Sequence, residues 1–135
     1  MSSEINAFPY KRLKVWEKSI DFVTEIYKIT CEFPKQEQYG LISQMRRCAV
    51  SISSNIAEGH GRTSDKELIR FIDIARGSVY ELDTQIEISK KLNYLTSEKY
   101  NILSMDLDEI SRMLTGLRKF KTSNLKSHNS NLKSK

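Results

Sequence analysis

Apolar residues recur along this chain at three- and four-residue steps in four separate stretches. Leu13, Trp16, Ile20, Val23, Tyr27 and Thr30 mark the first, and Leu41, Met45, Cys48, Ile52 and Ile56 the second. Leu68, Ile72, Ala75, Val79, Leu82 and Ile86 mark the third, and Leu103, Leu107, Ile110, Leu114 and Leu117 the fourth. Such steps stack side chains on one face of a helix. No strand-like alternation competes with them. The pattern predicts an all-α protein, an antiparallel up-down-up-down four-helix bundle with shallow left-handed crossings.

Punctuation divides the four stretches. Pro9 opens or precedes the first helix, and Phe33-Pro34 ends it. The second helix is predicted from about Glu37 to about Glu58, with Gly59 and Gly61 flanking His60 as its stop. Ser64-Asp65-Lys66-Glu67 reads as a capping box for a third helix that ends near Lys91. Thr96 or Ser97 caps the fourth, and Phe120 lies near its end. Residues 9–120 make the bundle, and residues 1–8 read as a flexible lead. Residues 121–135 repeat SNLKS and read as a disordered Lys/Ser/Asn-rich tail.

The second helix carries another stripe. Gln44, Arg47, Ser51, Asn55, Glu58 and Arg62 share one period, within an arc of roughly 80° at 100° per residue. A solvated face usually mixes Lys and Glu. An ordered ladder of amides, a hydroxyl, arginines and one carboxylate suits a polar network between packed helices or between subunits. Within one chain it would join Arg47 to Glu81 on the third helix, with Asn55 bridging backbone groups. Between chains it would face a neighbour and set register and partner choice.

Composition narrows the function classes. The 135 residues are 39% hydrophobic and 29% charged, which fits one soluble domain. No stretch nears the ~20 apolar residues of a membrane span. No apolar core follows the N-terminal charges, so a cytoplasmic location is expected. Four of the 22 basic residues (Lys121, Lys126, Lys133 and Lys135) lie in the acid-free tail. That leaves 18 basic against 17 acidic side chains, and most of the net +5 belongs to the tail.

Catalysis finds little support. Cys31 and Cys48 lack metal-ligand spacing and read as small buried residues. His60 sits between glycines and His128 in the tail. Glu58 is the one carboxylate expected to lie partly inside the bundle, where it would pair with an arginine or cap a neighbouring backbone. No P-loop, GxGxxG or HExxH occurs. No catalytic residue, metal or cofactor is expected.

Several of these residues also form a recognisable pattern. Phe33-Pro34, Glu37-x-Tyr39-Gly40-Leu41, Gln44-x-Arg46-Arg47 and Ser51-Ile52-x-x-Asn55-Ile56-Ala57-Glu58-Gly59-x-Gly61-Arg62 run in order. Phe71, Ala75, Gly77-Ser78, Glu81-Leu82 and Leu92-Asn93-Tyr94-Leu95 follow. Over about residues 8–120 this resembles the four-helix-bundle family of 23S ribosomal RNA intervening-sequence proteins. The resemblance implies a bacterial homo-oligomer, a pentameric ring. It also implies kinship to accessory subunits of diversity-generating retroelements, which bind reverse transcriptase and nucleic acid.

Basic clusters supply the functional expectation. They are Lys11, Arg12, Lys14 and Lys18 on the first helix, Arg62, Lys66 and Arg70 at the start of the third, and Lys90 and Lys91 at its end. In a ring, weak patches repeat. The chain is therefore expected to be a non-enzymatic oligomer that contacts RNA or DNA weakly and without sequence preference. The alternative is a scaffold that binds another protein, such as a reverse transcriptase, and no nucleic acid. The scattered tyrosines Tyr10, Tyr39, Tyr80, Tyr94 and Tyr100 are expected to pack at helix interfaces.

Overall fold

The computed structural model describes residues 8–133, with side chains described for 8–127. The expected lead therefore lies outside the described residues except for Phe8. Four helices follow: α1 (Lys14–Thr30), α2 (Leu41–His60), α3 (Asp65–Lys91) and α4 (Ser97–Lys133). Each packs against its sequence neighbours, and α4 closes back on α1. Among the described residues there is no strand, and no helix is long and apolar enough to cross a membrane. The α2–α3 contact is the widest.

Local chemistry sets each boundary. Pro9 starts a 3-10 turn (Pro9–Arg12), and Tyr10 meets Trp16 edge-on at 5.1 Å. A second 3-10 turn (Lys35–Glu37) precedes α2, which begins at Leu41 rather than Glu37. The reason is visible at Glu37. Its Oε1 accepts from the Leu41 N–H at 3.2 Å, and its Oε2 accepts from the Tyr94 hydroxyl at 2.9 Å. A carboxylate capping an orphan N–H sits outside the helix it caps. Ser64 Oγ accepts from the Glu67 N–H at 3.2 Å, as the capping box requires. Asn93, with φ of 64°, ends α3 while the Asn93 and Tyr94 N–H groups bond the Lys90 and Ser89 carbonyls.

The predicted stripes of α2, α3 and α4 line the core, with Leu41 and Leu117 half-buried at its ends. On α1 the buried face is rotated by one residue, to Val15, Ser19, Phe22, Ile26 and Ile29, and of the predicted stripe only Thr30 is fully buried. Trp16, Ile20 and Val23 are half-buried at its edge, and Tyr27 is exposed. Ser19 sits in this face because its hydroxyl donates to the Trp16 carbonyl at 2.6 Å.

Gly59 is not a stop. It is buried inside α2, where an added Cβ would lie 2.8 Å from Phe71 Cβ and 3.1 Å from Leu68 Cδ1. Gly61 caps the end of α2, and a Cβ there meets nothing closer than 3.5 Å. The segment expected to be disordered is also different: α4 continues as helix through Lys133. Extending a helix needs no new nucleus, and residues 117–135 contain no Gly or Pro. Lys121 pairs with Asp65 at 3.6 Å, and Leu125 is half-buried.

Ion pairs latch α4 in place. Arg118 Nε and Nη2 donate to the two Asp73 oxygens at 2.6 and 3.1 Å, and Arg76 reaches Oδ1 at 3.3 Å. The Arg118 bonds, aided by Arg76, hold the Asp73 carboxyl below its usual 3.8 against the opposing effect of burial. A carboxyl lowered in the fold stabilises above its unfolded pKa, and that contribution fades as pH falls through the folded value.

Gly59→Ala should cost about 1–3 kcal/mol by overpacking the α2–α3 contact, while Gly61→Ala stays near wild type in urea melts. Asp73→Asn should lower Tm by a few degrees at neutral pH. That deficit should shrink toward zero in strong acid, read by thermal melts across pH.

Candidate functional site

The turn between α1 and α2 builds a groove of about 500 Å³. Arg46 reaches back from α2 to the end of α1. Its Nε donates to Thr30 Oγ1 at 3.0 Å, and its Nη2 to the Tyr27 carbonyl at 3.3 Å and Cys31 Sγ at 3.5 Å. The guanidinium lies 4.5 Å over the Tyr27 ring. Lys35, Gln38, Tyr39 and Arg47 complete the walls, and no carboxylate lines them. Glu37 is close in sequence, but its two oxygens are turned to Leu41 and Tyr94.

A second cleft of about 430 Å³ between α2 and α3 shares Tyr39, Ser43 and Arg47 with the first. It holds the upper part of the polar ladder. Ser51 and Ser78 hydroxyls are 3.0 Å apart, and Asn55 Nδ2 donates to the Ser51 carbonyl at 2.8 Å and to its hydroxyl at 3.1 Å. Gln44, Arg47 and Glu81 line the same cleft, and all three are exposed. The expected Arg47–Glu81 pair does not form among the described residues. Arg47 lies ~40° farther round α2 from α3 than Ser51, which carries it outward. Glu58, expected partly inside, is exposed and reaches Arg62 only at 4.0 Å. Gln44, Arg47, Glu58 and Arg62 face solvent and Ser51 and Asn55 are half-buried, and among the described residues the ladder's hydrogen bonds are confined to Ser51, Asn55 and Ser78.

The expected basic residues divide between the two ends of the bundle. Antiparallel topology brings Lys11, Arg12 and Lys14 to the same end as Arg62, Lys66 and Arg70, where distal α4 adds Lys119 and Lys126. Lys90 and Lys91 lie at the other end. Several are engaged. Lys18 pairs with Glu109 at 3.0 Å and Asp106 at 3.7 Å. Arg70 pairs with Glu67 at 3.7 Å. Arg62 lies 4.8 Å from the Phe71 ring, and Lys90 sits 4.0 Å from the Tyr100 ring. Arg12, Lys14, Lys66 and Lys91 are exposed.

Two tyrosines do not pack as expected: Tyr39 is 93% exposed and Tyr80 61%. Tyr39 lies between the Lys35–Glu37 turn and Gly40, so its ring projects from a corner. Periodicity does not single out Lys35, Tyr39 or Arg46 as site residues. The available signal is the turn itself, since Tyr39-Gly40 sits outside any helical stripe.

The two cysteines also differ. Cys48 is buried with its Sγ donating to the Ser78 carbonyl at 3.0 Å. Burial, with the Glu81 charge adding to it, pushes its thiol up to about 12. Cys31, expected to be buried, is exposed on the groove because it falls just past Thr30, the last buried position of α1. No group of three or more His, Cys, Asp or Glu gathers at metal-binding distance among the described residues. Iodoacetamide at mildly alkaline pH should modify Cys31 alone in the folded protein, and Cys48 only after urea unfolding, as mass spectrometry would show.

The family model for the 23S rRNA-intervening sequence protein matches residues 11–116, nearly the whole bundle. A solved structure from Bacteroides thetaiotaomicron, a protein of unknown function from the S23 ribosomal protein family, superposes with a TM-score of 0.71. It is 28% identical, and the alignment covers 78% of this chain and 98% of that one. No curated protein sequence matches. With the match running through all four helices and the NIAEG segment, the chain belongs to the 23S rRNA-intervening sequence protein family.

Proposed function

We propose that the protein is a non-enzymatic oligomeric bundle of the bacterial cytoplasm. In this reading it contacts RNA or a ribonucleoprotein without sequence preference, through basic surfaces. The observation that carries this is the charge at one end. Arg12, Lys14, Lys66, Lys119 and Lys126 are all exposed there, and none is ion-paired among the described residues. Free cations at one end can neutralise phosphates and release counterions. A homo-oligomer, by family likeness a pentamer, would repeat that end and raise a weak affinity.

A second reading rests on the solvent-facing ladder. Gln44, Arg47 and Glu81 present neutral and opposite-sign polar groups along one cleft. That suits a protein partner, a second copy or a reverse transcriptase, better than a phosphate backbone. Under that reading the protein is a scaffold that binds no nucleic acid.

Labelled structured RNA and duplex DNA, titrated at rising salt, separate the two. Nucleic-acid binding predicts that Lys66→Glu with Lys119→Glu weakens both ligands alike. The log–log salt slope should fall by about one for each phosphate no longer neutralised. Light scattering should give a mass well above the 15.7 kDa protomer. Asn55→Leu should reduce that mass with little change in melting. A 15.7 kDa particle that binds neither ligand at low salt would overturn the reading.

A further inference from the structure

The groove between α1 and α2 has a chemistry that the basic end lacks. Three cations, Lys35, Arg46 and Arg47, line one concavity with no carboxylate among its walls. Arg46 is fixed before any ligand arrives. Its Nε and Nη2 are bonded to Thr30, Tyr27 and Cys31, and its guanidinium carbon lies over the Tyr27 ring. Its Nη1 has no bond among the described residues, so its two N–H groups remain available. An arginine held this way presents donors in fixed geometry and gives up little rotamer freedom on binding.

Beside these cations stands Tyr39, 93% exposed and in no aromatic pair among the described residues. An exposed tyrosine face next to a cationic floor is the pairing that holds one unpaired nucleotide: the base stacks on the ring and the phosphate takes the guanidinium donors. The volume of about 500 Å³ is that of a small-molecule site. A concavity of this size is large enough for a single nucleotide.

We propose that this groove binds a nucleoside phosphate, with its base on Tyr39 and its phosphate held by Arg46, Arg47 and Lys35. The ligand is a free nucleotide or one residue of a single strand. The site lies at the opposite end of the bundle from Lys66 and Lys119. It goes beyond the nonspecific binding proposed above and stands whether or not that end grips a phosphate backbone.

Calorimetry with adenosine monophosphate, inorganic phosphate and a short oligoadenylate tests it. Adenosine monophosphate should bind more tightly than inorganic phosphate. Tyr39→Ala should weaken adenosine monophosphate about fivefold or more while leaving inorganic phosphate unchanged. Arg47→Gln should weaken both by about tenfold. Both substitutions sit at exposed positions, and unchanged circular dichroism melts confirm that each variant folds. Oligoadenylate tighter than the mononucleotide identifies a strand as the source, and equal affinity a free nucleotide. Lys66→Glu with Lys119→Glu should leave mononucleotide affinity unchanged even where duplex binding is lost. Adenosine monophosphate no tighter than inorganic phosphate would overturn the proposal. So would Tyr39 and Arg47 variants that shift the mass in solution without moving nucleotide affinity, since the groove would then be an interface between copies.

Discussion

Gly59 lets the backbone of α2 close onto α3 at the point where Phe71 and Leu68 leave no room for a methyl group. The largest interface in the protein is registered from there. With the two axes drawn together, Cys48 reaches the Ser78 carbonyl and Ser51 reaches the Ser78 hydroxyl. The stripes from Met45 to Ile56 and from Leu68 to Ile86 can then share one dry seam. Overpacking is felt strongly here because interiors are already close-packed. The same approach fixes where the polar ladder sits, at the rim of the seam and not within it.

Much of this is legible in the pattern of the chain. Helix count, order, the Ser64 cap and three of four buried faces follow from spacing alone. The face of α1 does not, because two apolar stripes abut there. Trp16, Ile20 and Val23 look stronger than a stripe interrupted by Ser19, and only the local bond from Ser19 to Trp16 makes that serine easy to bury. Gly59 reads as a helix end because glycine serves both ends and close approaches. Composition gives the segment after Phe120 the look of disorder, while a helix already nucleated upstream simply continues. Tyr39 is hidden for a different reason. Exposure at a corner depends on where Glu37 turns, and Glu37 is held by Tyr94, 57 positions later in the chain.

The division of charge is a tertiary property too. A count of 18 basic against 17 acidic residues in residues 1–120 suggests a neutral body. Folding uses several of those charges internally. Lys18 and Arg118 hold α4 to its neighbours, and Glu37 caps α2. Cations without an ion pair among the described residues stand at both ends: exposed lysines where α3 begins, and a concave arginine site where α2 begins. The two differ in kind. One offers point charges on flexible stems, the other one guanidinium, that of Arg46, fixed over a ring.

The length of α4 has a mechanical side. Its 37 residues span ~55 Å at 1.5 Å per residue, against ~40 Å for the 27 of α3. Lys121 already sits beside Asp65, the first residue of α3. Thr122 and Leu125 are still half-buried, so it is the turns beyond Leu125 that extend past the start of α3, ~12 Å at the same rise. A protomer of this shape tumbles anisotropically, slowly end over end and quickly about the helix axes. Orientation-dependent relaxation of its amide groups would report the direction of that axis without any partner present.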